Sequence, residues 1–417
     1  MTKYTKERLW EMMNRVADMP LERNIDEILN GTKIGFISEA VDFENDFSDI
    51  EPTSCWNTEE LKNYLNQILT NYNLPSSKRK KPELIIHNKL IKKDEKGEID
   101  VQQFIDNIIK EPPNIITDGN SKMIKSATDD FYTVTIGLPA YRGLVVDINA
   151  NPPKFFVVST CPGASDKCKN VCYARKGRFV IQPNIFVKQT RILNLLMNNP
   201  KRFKEKLKSE IIKLYNSESK KGEREMRFRW NDSGDFFTKK YFQIANEVMN
   251  ELKSDNFKVK PYAHTKVADI YNTNRGKFAI NPEGLSVYQK PDFVISFSVD
   301  AADDQVAKVN LEGAKTSEIM FKDFQDLFKR DENGRIFLTD ENGKLEFKDE
   351  VNGPKILKQR VSKNFGVPND NTLLMHDEMM DTPEADVPTY NVIVQLKGET
   401  DISTMRPDVK RTFFMVH

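Results

Sequence analysis

The chain has 417 residues, and its 63 basic and 62 acidic side chains leave a formal net charge of +1. This balance neither demands nor excludes a nucleic-acid partner, whereas four cysteines in so long a chain exclude a disulfide-stapled scaffold. The first residues lack the apolar core of a signal peptide and no run of about 18 apolar residues occurs, so we expect a soluble intracellular protein of two or three domains with no membrane partner.

Residues 1–117 are predicted to form a mainly helical N-terminal domain. Apolar residues recur at helical spacing over Thr5–Ala17, Asn57–Asn71 and Val101–Ile109. The second of these helices is predicted to begin with a capping box, because acidic residues follow its first polar residue. Cys55 stands apart from the other cysteines, and we interpret it as a buried small apolar residue.

A basic run separates two of these helices and consists of Lys78, Arg79, Lys80 and Lys81. Such a run is either a solvated linker or a patch that contacts the phosphates of nucleic acid. Composition changes at 112–120, where prolines and small polar residues gather. We therefore predict a domain boundary near residue 117 and an α/β domain over residues 118–417.

The most informative stretch is a cysteine loop that follows a predicted buried strand at Phe155–Thr160. Three of the four cysteines lie in this loop, namely Cys161, Cys168 and Cys172. Their spacing does not give the Cys-x-x-Cys knuckles of a closed structural zinc site. The residues leave three alternatives open: an iron–sulfur cluster with one iron lacking a protein ligand, zinc with a fourth ligand from elsewhere, or unliganded thiols.

Strands and helices alternate through the rest of this domain. Other strands are predicted over Phe131–Ala140, Met226–Asn231, Lys258–Thr265, Phe293–Asp300, Asn371–His376 and Tyr390–Leu396, with helices between most of them and a helix break at Pro200. This alternation predicts a parallel sheet with right-handed crossovers. A polar insertion over about 310–360 contains Asn342-Gly343, which predicts a β-hairpin near 331–350.

Polar residues of unusual chemistry follow the predicted strands, at the edge where parallel α/β sheets place their ligands. They are Ser233, Gly234, Asp235, His264, Ser298 and Asp300, together with Arg175 behind the last cysteine. Arg227 and Arg229 alternate on one strand and so share a face, which suits an anionic ligand or burial against acidic turns. Plain alternatives are that Asp232 and Asp235 cap the next helix, and that His264 is a hydrogen-bonded polar residue at a strand end.

The order of these elements resembles the layout of radical S-adenosylmethionine enzymes, in which a cysteine loop, an acidic glycine turn and a polar turn follow successive strands. That resemblance implies a partial (βα)6 barrel in which Cys161, Cys168 and Cys172 hold a [4Fe-4S] cluster. It further implies that Ser233, Gly234 and Asp235 face the amine of S-adenosylmethionine, and that Ser298 and Asp300 lie near its ribose.

Several short motifs resemble more closely those of the bacteriophage family named gene product 88. The matching residues are Asn120 with Lys122, Leu138–Ala140, Cys161–Ala174, Arg229 with Ser233–Phe236, and Tyr262–Lys266. This resemblance covers about 119–300 and implies a phage-encoded protein of the host cytoplasm. It implies no particular reaction.

Taken together, the patterns and resemblances predict an iron–sulfur enzyme with radical S-adenosylmethionine-like chemistry. A small molecule, nucleotide or nucleobase is the expected substrate, and its anionic groups would meet Arg175, Arg227, Arg229 or His264. The alternative is a non-catalytic module, stabilised by zinc or an iron–sulfur cluster, that binds nucleic acid or a host protein.

Overall fold

The structure is a computed structural model. It describes residues 47, 49–50, 52–74, 83–118, 127–128, 130–175, 182–320, 328–330, 336–338, 352–394 and 401–415. All of them belong to one compact unit, residues 41–417. Four predicted features lie outside the described residues: the helix Thr5–Ala17, the basic run 78–81, the pair Asn120 and Lys122, and the turn at Asn342-Gly343.

An eight-stranded sheet forms the centre of this unit, and every pair of neighbouring strands in it is parallel. Its strands, in sheet order, are β2 (Phe131–Thr135), β5 (Glu225–Trp230), β6 (Val259–Thr265), β9 (Val294–Ser298), β10 (Thr316–Met320), β15 (Val409–Met415), β14 (Tyr390–Val394) and β13 (Leu373–Met375). The parallel α/β sheet is therefore confirmed. Among the described residues no strand pairing joins β2 to β13, so the partial barrel stays a prediction.

A second, smaller sheet is antiparallel and consists of β1 (Ser54–Trp56), β4 (Lys154–Ser159) and β3 (Arg142–Asp147), in that order. The strand before the cysteines is β4, so placing it in the parallel sheet was wrong. The reason is the length of the connection: only residues 148–153 join β3 to β4. A parallel pair needs a crossover of a dozen or more residues, whereas a short turn can join only antiparallel strands.

Two N-terminal helices, Thr58–Asn73 and Val101–Ile109, pack on this small sheet and confirm the predicted helical spacing. The capping box is also confirmed, because the Asn57 side chain accepts from the N–H of Glu60 while the Glu60 carboxylate accepts from the N–H of Asn57. A shared hydrophobic core joins the helices to β3 and β4 and includes Leu61, Leu65, Phe104, Leu144, Val146, Phe155 and Val157. The boundary near residue 117 stays a prediction.

Cys55 is exposed, so its interpretation as a buried residue was wrong. It lies in the middle of β1, a three-residue strand at the edge of the small sheet. The side chains on either side of it are only partly buried. An edge strand has a neighbouring strand on one side only, so less of its surface is covered.

Nine further helices lie among the described residues. Their bounds are Asp166–Val171, Pro183–Asn198, Pro200–Ser219, Lys239–Ser254, Ala268–Asn274, Asp303–Val306, Asn352–Phe365, His376–Met380 and Ile402–Met405, with 3-10 turns at Asn88–Leu90 and Tyr173–Arg175. The predicted break at Pro200 is confirmed. The main core includes Met226, Phe228 and Trp230 of β5, and the alternating residues of that strand face the other side of the sheet.

The structure also contains strands that the sequence patterns missed. Strand β10 is central to the parallel sheet although it lies inside the segment predicted as an insertion, and β15 lies in the last residues of the chain. Antiparallel pairs join β7 (Lys277–Ile280) to β8 (Ser286–Gln289) and β11 (Phe328–Arg330) to β12 (Ile336–Leu338). The second pair falls within the predicted insertion. Its strand β12 was expected, because it lies within the hairpin predicted near 331–350, but its partner β11 was not.

Candidate site at the cysteine loop

The cysteine loop lies across the carboxyl ends of three neighbouring parallel strands, although the strand that precedes it belongs to the small sheet. The Asp235 N–H, after β5, donates to the Thr160 carbonyl at 2.8 Å. The Ala302 N–H, after β9, donates to the Gly163 carbonyl at 2.8 Å, and the Ser165 hydroxyl donates to the Asp300 carbonyl at 2.6 Å. The loop therefore reaches the edge at which the sequence predicted the site.

Gly163 explains the Cys-Pro-Gly step of the loop. A β-carbon at this position would overlap the carbonyl oxygen of Lys266, which directly follows β6. Only a glycine lets the loop approach the end of that strand so closely. The loop is therefore packed against β6 as well as hydrogen-bonded to the residues after β5 and β9.

The three thiols in this loop are partly buried. Burial raises the pKa of the Cys161 thiol to about 12, and the Asp235 carboxylate and the thiols of Cys172 and Cys168 add to the rise. The Tyr141 N–H donates to the Cys161 sulfur at 3.4 Å and opposes it. Burial also raises the pKa of Cys172, against backbone N–H donation from the following turn. The thiols of Cys168 and Cys172 also raise the pKa values of one or both of their neighbours in the loop.

The donor set of this loop fits a metal cluster in its chemistry. It offers three thiols and main-chain N–H groups directed at sulfur, the kind of hydrogen bond that tunes iron–sulfur centres. The side-chain positions do not form a ready ligand set: among the described residues, no group of three or more His, Cys, Asp and Glu side chains is arranged to hold a metal ion. Deprotonation and a local movement of the loop are needed before three sulfurs could bind one cluster.

Asp235 joins the ends of β5 and β6. Its Oδ1 accepts from the Phe236 N–H at 2.7 Å and the Thr265 hydroxyl at 2.7 Å, and its Oδ2 accepts from the Lys266 N–H at 2.8 Å. Burial raises the pKa of this carboxyl group, and those donors oppose the rise. The N-cap interpretation of Asp232 and Asp235 was wrong, because the next helix begins at Lys239 and Thr238 caps it.

The other residues of the Ser-Gly-Asp turn contact the Leu138-Pro-Ala segment. Gly234 has a φ of 77°, and a β-carbon there would lie 2.8 Å from the Leu138 β-carbon. The close approach that requires glycine is thus one within the protein. The Ser233 hydroxyl donates to the Leu138 carbonyl and accepts from the Gln189 side chain at 2.7 Å. Motifs that lie far apart in the sequence therefore meet here.

Asp232 faces a different environment from Asp235. Its Oδ1 is buried and has no hydrogen-bond partner among the described residues. A β-carbon on Gly137 would overlap that oxygen. Burial raises the pKa of Asp232 to about 6, while the charges of Arg229 and Lys188 oppose the rise. The two carboxylates of the turn therefore have different surroundings, and Asp235 is the one that helps to raise the pKa of Cys161.

Lys266 is a site residue that the sequence reasoning named only as part of a motif. Burial lowers the pKa of this lysine, but Cys168, Asp235, Asp300 and Cys161 together raise it above its ordinary value. Asp300 receives the Ile319 N–H at 2.7 Å, and burial raises its pKa to about 6. In the sequence, the available signal for Lys266 was its position between Thr265, at the end of a predicted strand, and the helix that follows. Lysines are too common at such positions for this one to stand out.

Arg229 and His264 lie near the carboxyl ends of β5 and β6, Arg227 lies midway along β5, and all three make contacts within the protein. Arg229 forms a buried ion pair with Asp401, and Arg227 pairs with Glu225. These arginines share a face, as predicted, and the acidic partner Asp401 comes from a distant loop. The ring nitrogens of His264 lie 3.1 Å from the hydroxyls of Ser317 and Thr404.

Ser298 is buried at the end of β9, opposite Ser317 of β10. It lies two residues before Asp300, whose main-chain carbonyl holds the cysteine loop. Arg175 lies behind the last cysteine, where its guanidinium is 5.2 Å from the centre of the Tyr141 ring. The structure therefore brings Arg175 to the cysteine loop.

A sequence profile described as gene product 88 matches residues 114–364, more than half of the chain. The chain belongs to the gene product 88 family. Neither the comparison with curated proteins nor the comparison with solved structures gave a match. In this family member, no helix among the described residues is long and apolar enough to cross a membrane.

Proposed function

We propose that this gene product 88 protein is an iron–sulfur enzyme with radical S-adenosylmethionine-like chemistry, whose cluster is held by Cys161, Cys168 and Cys172. The observation that carries the proposal is the position of the cysteine loop over the ends of β5, β6 and β9. Parallel α/β sheets bind their ligands at this edge. When bound, the cluster would supply an electron to the sulfonium of its cofactor.

The protein's own part would be to orient the cofactor and to balance charge. Asp235 uses three acceptor positions on its carboxylate, and a carboxylate offers about four. One position is left for the amine of S-adenosylmethionine. Lys266, which Cys168 and Cys161 already influence, would offset the negative charge of the thiolates. Ser298 and Asp300, at the end of β9, would lie on the ribose side.

The test uses the full chain, purified without oxygen and reconstituted with iron and sulfide. We expect about four irons per chain with broad brown absorbance, binding of S-adenosylmethionine by calorimetry, and 5′-deoxyadenosine after reduction. Asp235→Asn should weaken binding roughly ten- to hundredfold, because a charge-assisted hydrogen bond contributes about 1.5–3 kcal/mol. Asp232→Asn is the matched control and should leave binding unchanged. Protein that carries a full iron–sulfur cluster but does not bind S-adenosylmethionine at millimolar concentration would refute the proposed enzymatic function.

The second candidate is a non-catalytic metal-stabilised module. It is favoured by the commitment of Asp235 and His264 to hydrogen bonds within the protein, which is typical of structural residues. Metal analysis of the purified full chain separates the two functions. Stoichiometric zinc without iron, together with no 5′-deoxyadenosine, would favour the module.

A further inference from the structure

Three cations surround one aromatic ring beside the cysteine loop. The Tyr141 ring centre lies 4.9 Å from the guanidinium carbon of Arg142, 5.1 Å from the Lys169 ammonium and 5.2 Å from the guanidinium carbon of Arg175. All four side chains are partly exposed. Tyr141, Arg142, Lys169 and Arg175 are called the Tyr141 cluster below.

The protein holds the ring in place from both sides. The Tyr141 N–H donates to the Cys161 sulfur, and its carbonyl accepts from the Thr160 N–H at 3.0 Å. Its φ is 71°, a left-handed conformation that is rare and unfavourable for a bulky residue. Such strain persists only where surrounding contacts enforce it. The main chain of Tyr141 is thereby held against the first cysteine of the loop.

Like charges gathered around one ring repel each other unless an anion lies nearby. Two exposed carboxylates pair with the cluster, Glu83 with Arg142 and Asp166 with Lys169, and 66% and 92% of their side chains are exposed. The Arg175 guanidinium donates to the Lys169 carbonyl at 3.2 Å. Ion pairs this exposed contribute little to stability, so a stronger anion could displace them. The loop sequence from Cys161 to Arg178 carries five basic residues and one acidic residue, although the whole chain is nearly neutral.

We propose that the Tyr141 cluster binds the phosphate groups of a nucleic-acid strand beside the cysteine loop. Guanidinium and ammonium groups are the usual partners of phosphate. Partly exposed cations spread around a ring suit an extended polyanion better than a small nucleotide, which needs an enclosing pocket. That the strand is the substrate rests on the function proposed above, whereas phosphate binding itself does not.

The test is fluorescence anisotropy of the full chain with a labelled single-stranded 20-mer of mixed sequence over a salt series. The triple variant Arg142→Gln, Lys169→Gln, Arg175→Gln should lose at least about tenfold in affinity at low salt, and its salt slope should fall by about 2, since each phosphate contact to a single strand contributes about 0.7. The matched control removes Lys253, Lys258 and Lys290 as glutamines. These lysines lie in exposed ion pairs near the amino ends of the strands and should not affect binding.

A variant with the opposite expected sign protects the test against simple misfolding. Glu83→Gln with Asp166→Asn removes the competing carboxylates and should strengthen binding by up to about fivefold. Equal losses in the triple variant and in its control would overturn the proposal. Binding of tripolyphosphate at this cluster without binding of the 20-mer would assign it to free phosphate instead of nucleic acid. Each measurement is made on protein with and without the reconstituted iron–sulfur cluster. Failure to form the iron–sulfur cluster and failure to bind the nucleic-acid strand are then seen separately.

Discussion

The two edges of the parallel sheet treat buried charge in different ways. At the amino edge, before β10 and β15, the Lys315 ammonium donates to the carbonyls of Ser403, Arg406 and Val409 at 2.8–3.2 Å. At the carboxyl edge, Asp232 has a buried oxygen with no hydrogen-bond partner among the described residues. The buried charge of Lys315 is thus fully hydrogen-bonded, whereas that of Asp232 is not.

Arg406 and Asp408 form a second hydrogen-bonded charge at the amino edge. The Arg406 side chain makes five hydrogen bonds, to both oxygens of Asp408 and to the carbonyls of Met379, Thr382 and Pro383. An arginine has five N–H donors, so all are used. Asp408 also accepts from the Ala385 N–H at 2.8 Å. Such a network fixes the starts of β14 and β15.

The carboxyl edge instead gathers thiol and carboxyl groups whose pKa values are raised. Two thiols there have raised pKa values because of burial, as do Asp235, Asp232 and Asp300. Perturbed titratable groups that share one place are characteristic of binding and catalytic sites. The comparison therefore makes the carboxyl edge the candidate for a binding or catalytic site.

The largest expected effect tests the hydrogen-bonded charges at the amino edge. Arg406→Ala leaves the buried Asp408 carboxylate without its cation and three carbonyls without a donor. Breaking a buried pair in this way should lower the free energy of unfolding by about 3–5 kcal/mol in urea titrations. Lys253→Ala removes a cation from an exposed pair and should cost less than about 1 kcal/mol. Similar losses in the two variants would show that the amino edge is not held by its ion pair.

A smaller effect should separate the two carboxylates of the Ser-Gly-Asp turn. Asp235→Asn replaces an acceptor by an amide and should lower the free energy of unfolding by about 1–3 kcal/mol. Asp232→Asn should raise it by about 1 kcal/mol at pH 7, because it removes a poorly satisfied buried charge. Urea titrations of both variants make the comparison. Equal destabilisation would mean that Asp232 is as well bonded as Asp235.

The pH dependence of the Asp232 variant gives a second check on the sign. Burial raises the pKa of Asp232 from 3.8 to about 6. The folded chain therefore keeps a proton that the unfolded chain has released, and the resulting stabilisation is lost as pH rises from about 4 to about 6. This loss should be present in the wild type and absent in Asp232→Asn.

The last prediction concerns the pH dependence that Lys315 gives to stability. Burial lowers its pKa from 10.5 to about 7, so the folded chain releases this proton at lower pH than the unfolded chain. Stability of the wild type should thus rise relative to Lys315→Met between about pH 7 and pH 10, by at most about 1.4 kcal/mol per pH unit. Urea titrations at several pH values measure it. A difference that does not change with pH would mean that the three carbonyls keep the ammonium charged.

Local patterns foretold the parts of the molecule that depend on neighbouring residues. The capping box at Asn57, the break at Pro200 and the shared face of Arg227 and Arg229 are all present. The prediction that β4 belongs to the parallel sheet was wrong, because the partners of a strand are decided by residues outside that strand. Strand β10 was missed because its sequence, Thr-Ser-Glu-Ile-Met, carries no apolar run.

The site shows the same division. The cysteines and the acidic turn were visible as clustered residues of unusual type, and the structure brings Cys161 and Asp235 together. Lys266 and Asp401 were not singled out, because their importance comes from what the fold places beside them. The hydrogen bonds from Thr265 and Lys266 that distinguish Asp235 from Asp232 likewise join residues far apart in sequence.

The most direct test of the carboxyl edge as a chemical site is the iron and sulfide content of four cysteine variants. Each of Cys161→Ala, Cys168→Ala and Cys172→Ala is reconstituted without oxygen beside the wild type, with Cys55→Ala as the matched control. We expect about four irons per chain in the wild type and in Cys55→Ala, and loss of the iron and of the brown absorbance in the other three. Stoichiometric zinc with no iron in the wild type, or an iron content that the loop variants leave unchanged, would contradict a cluster in this loop.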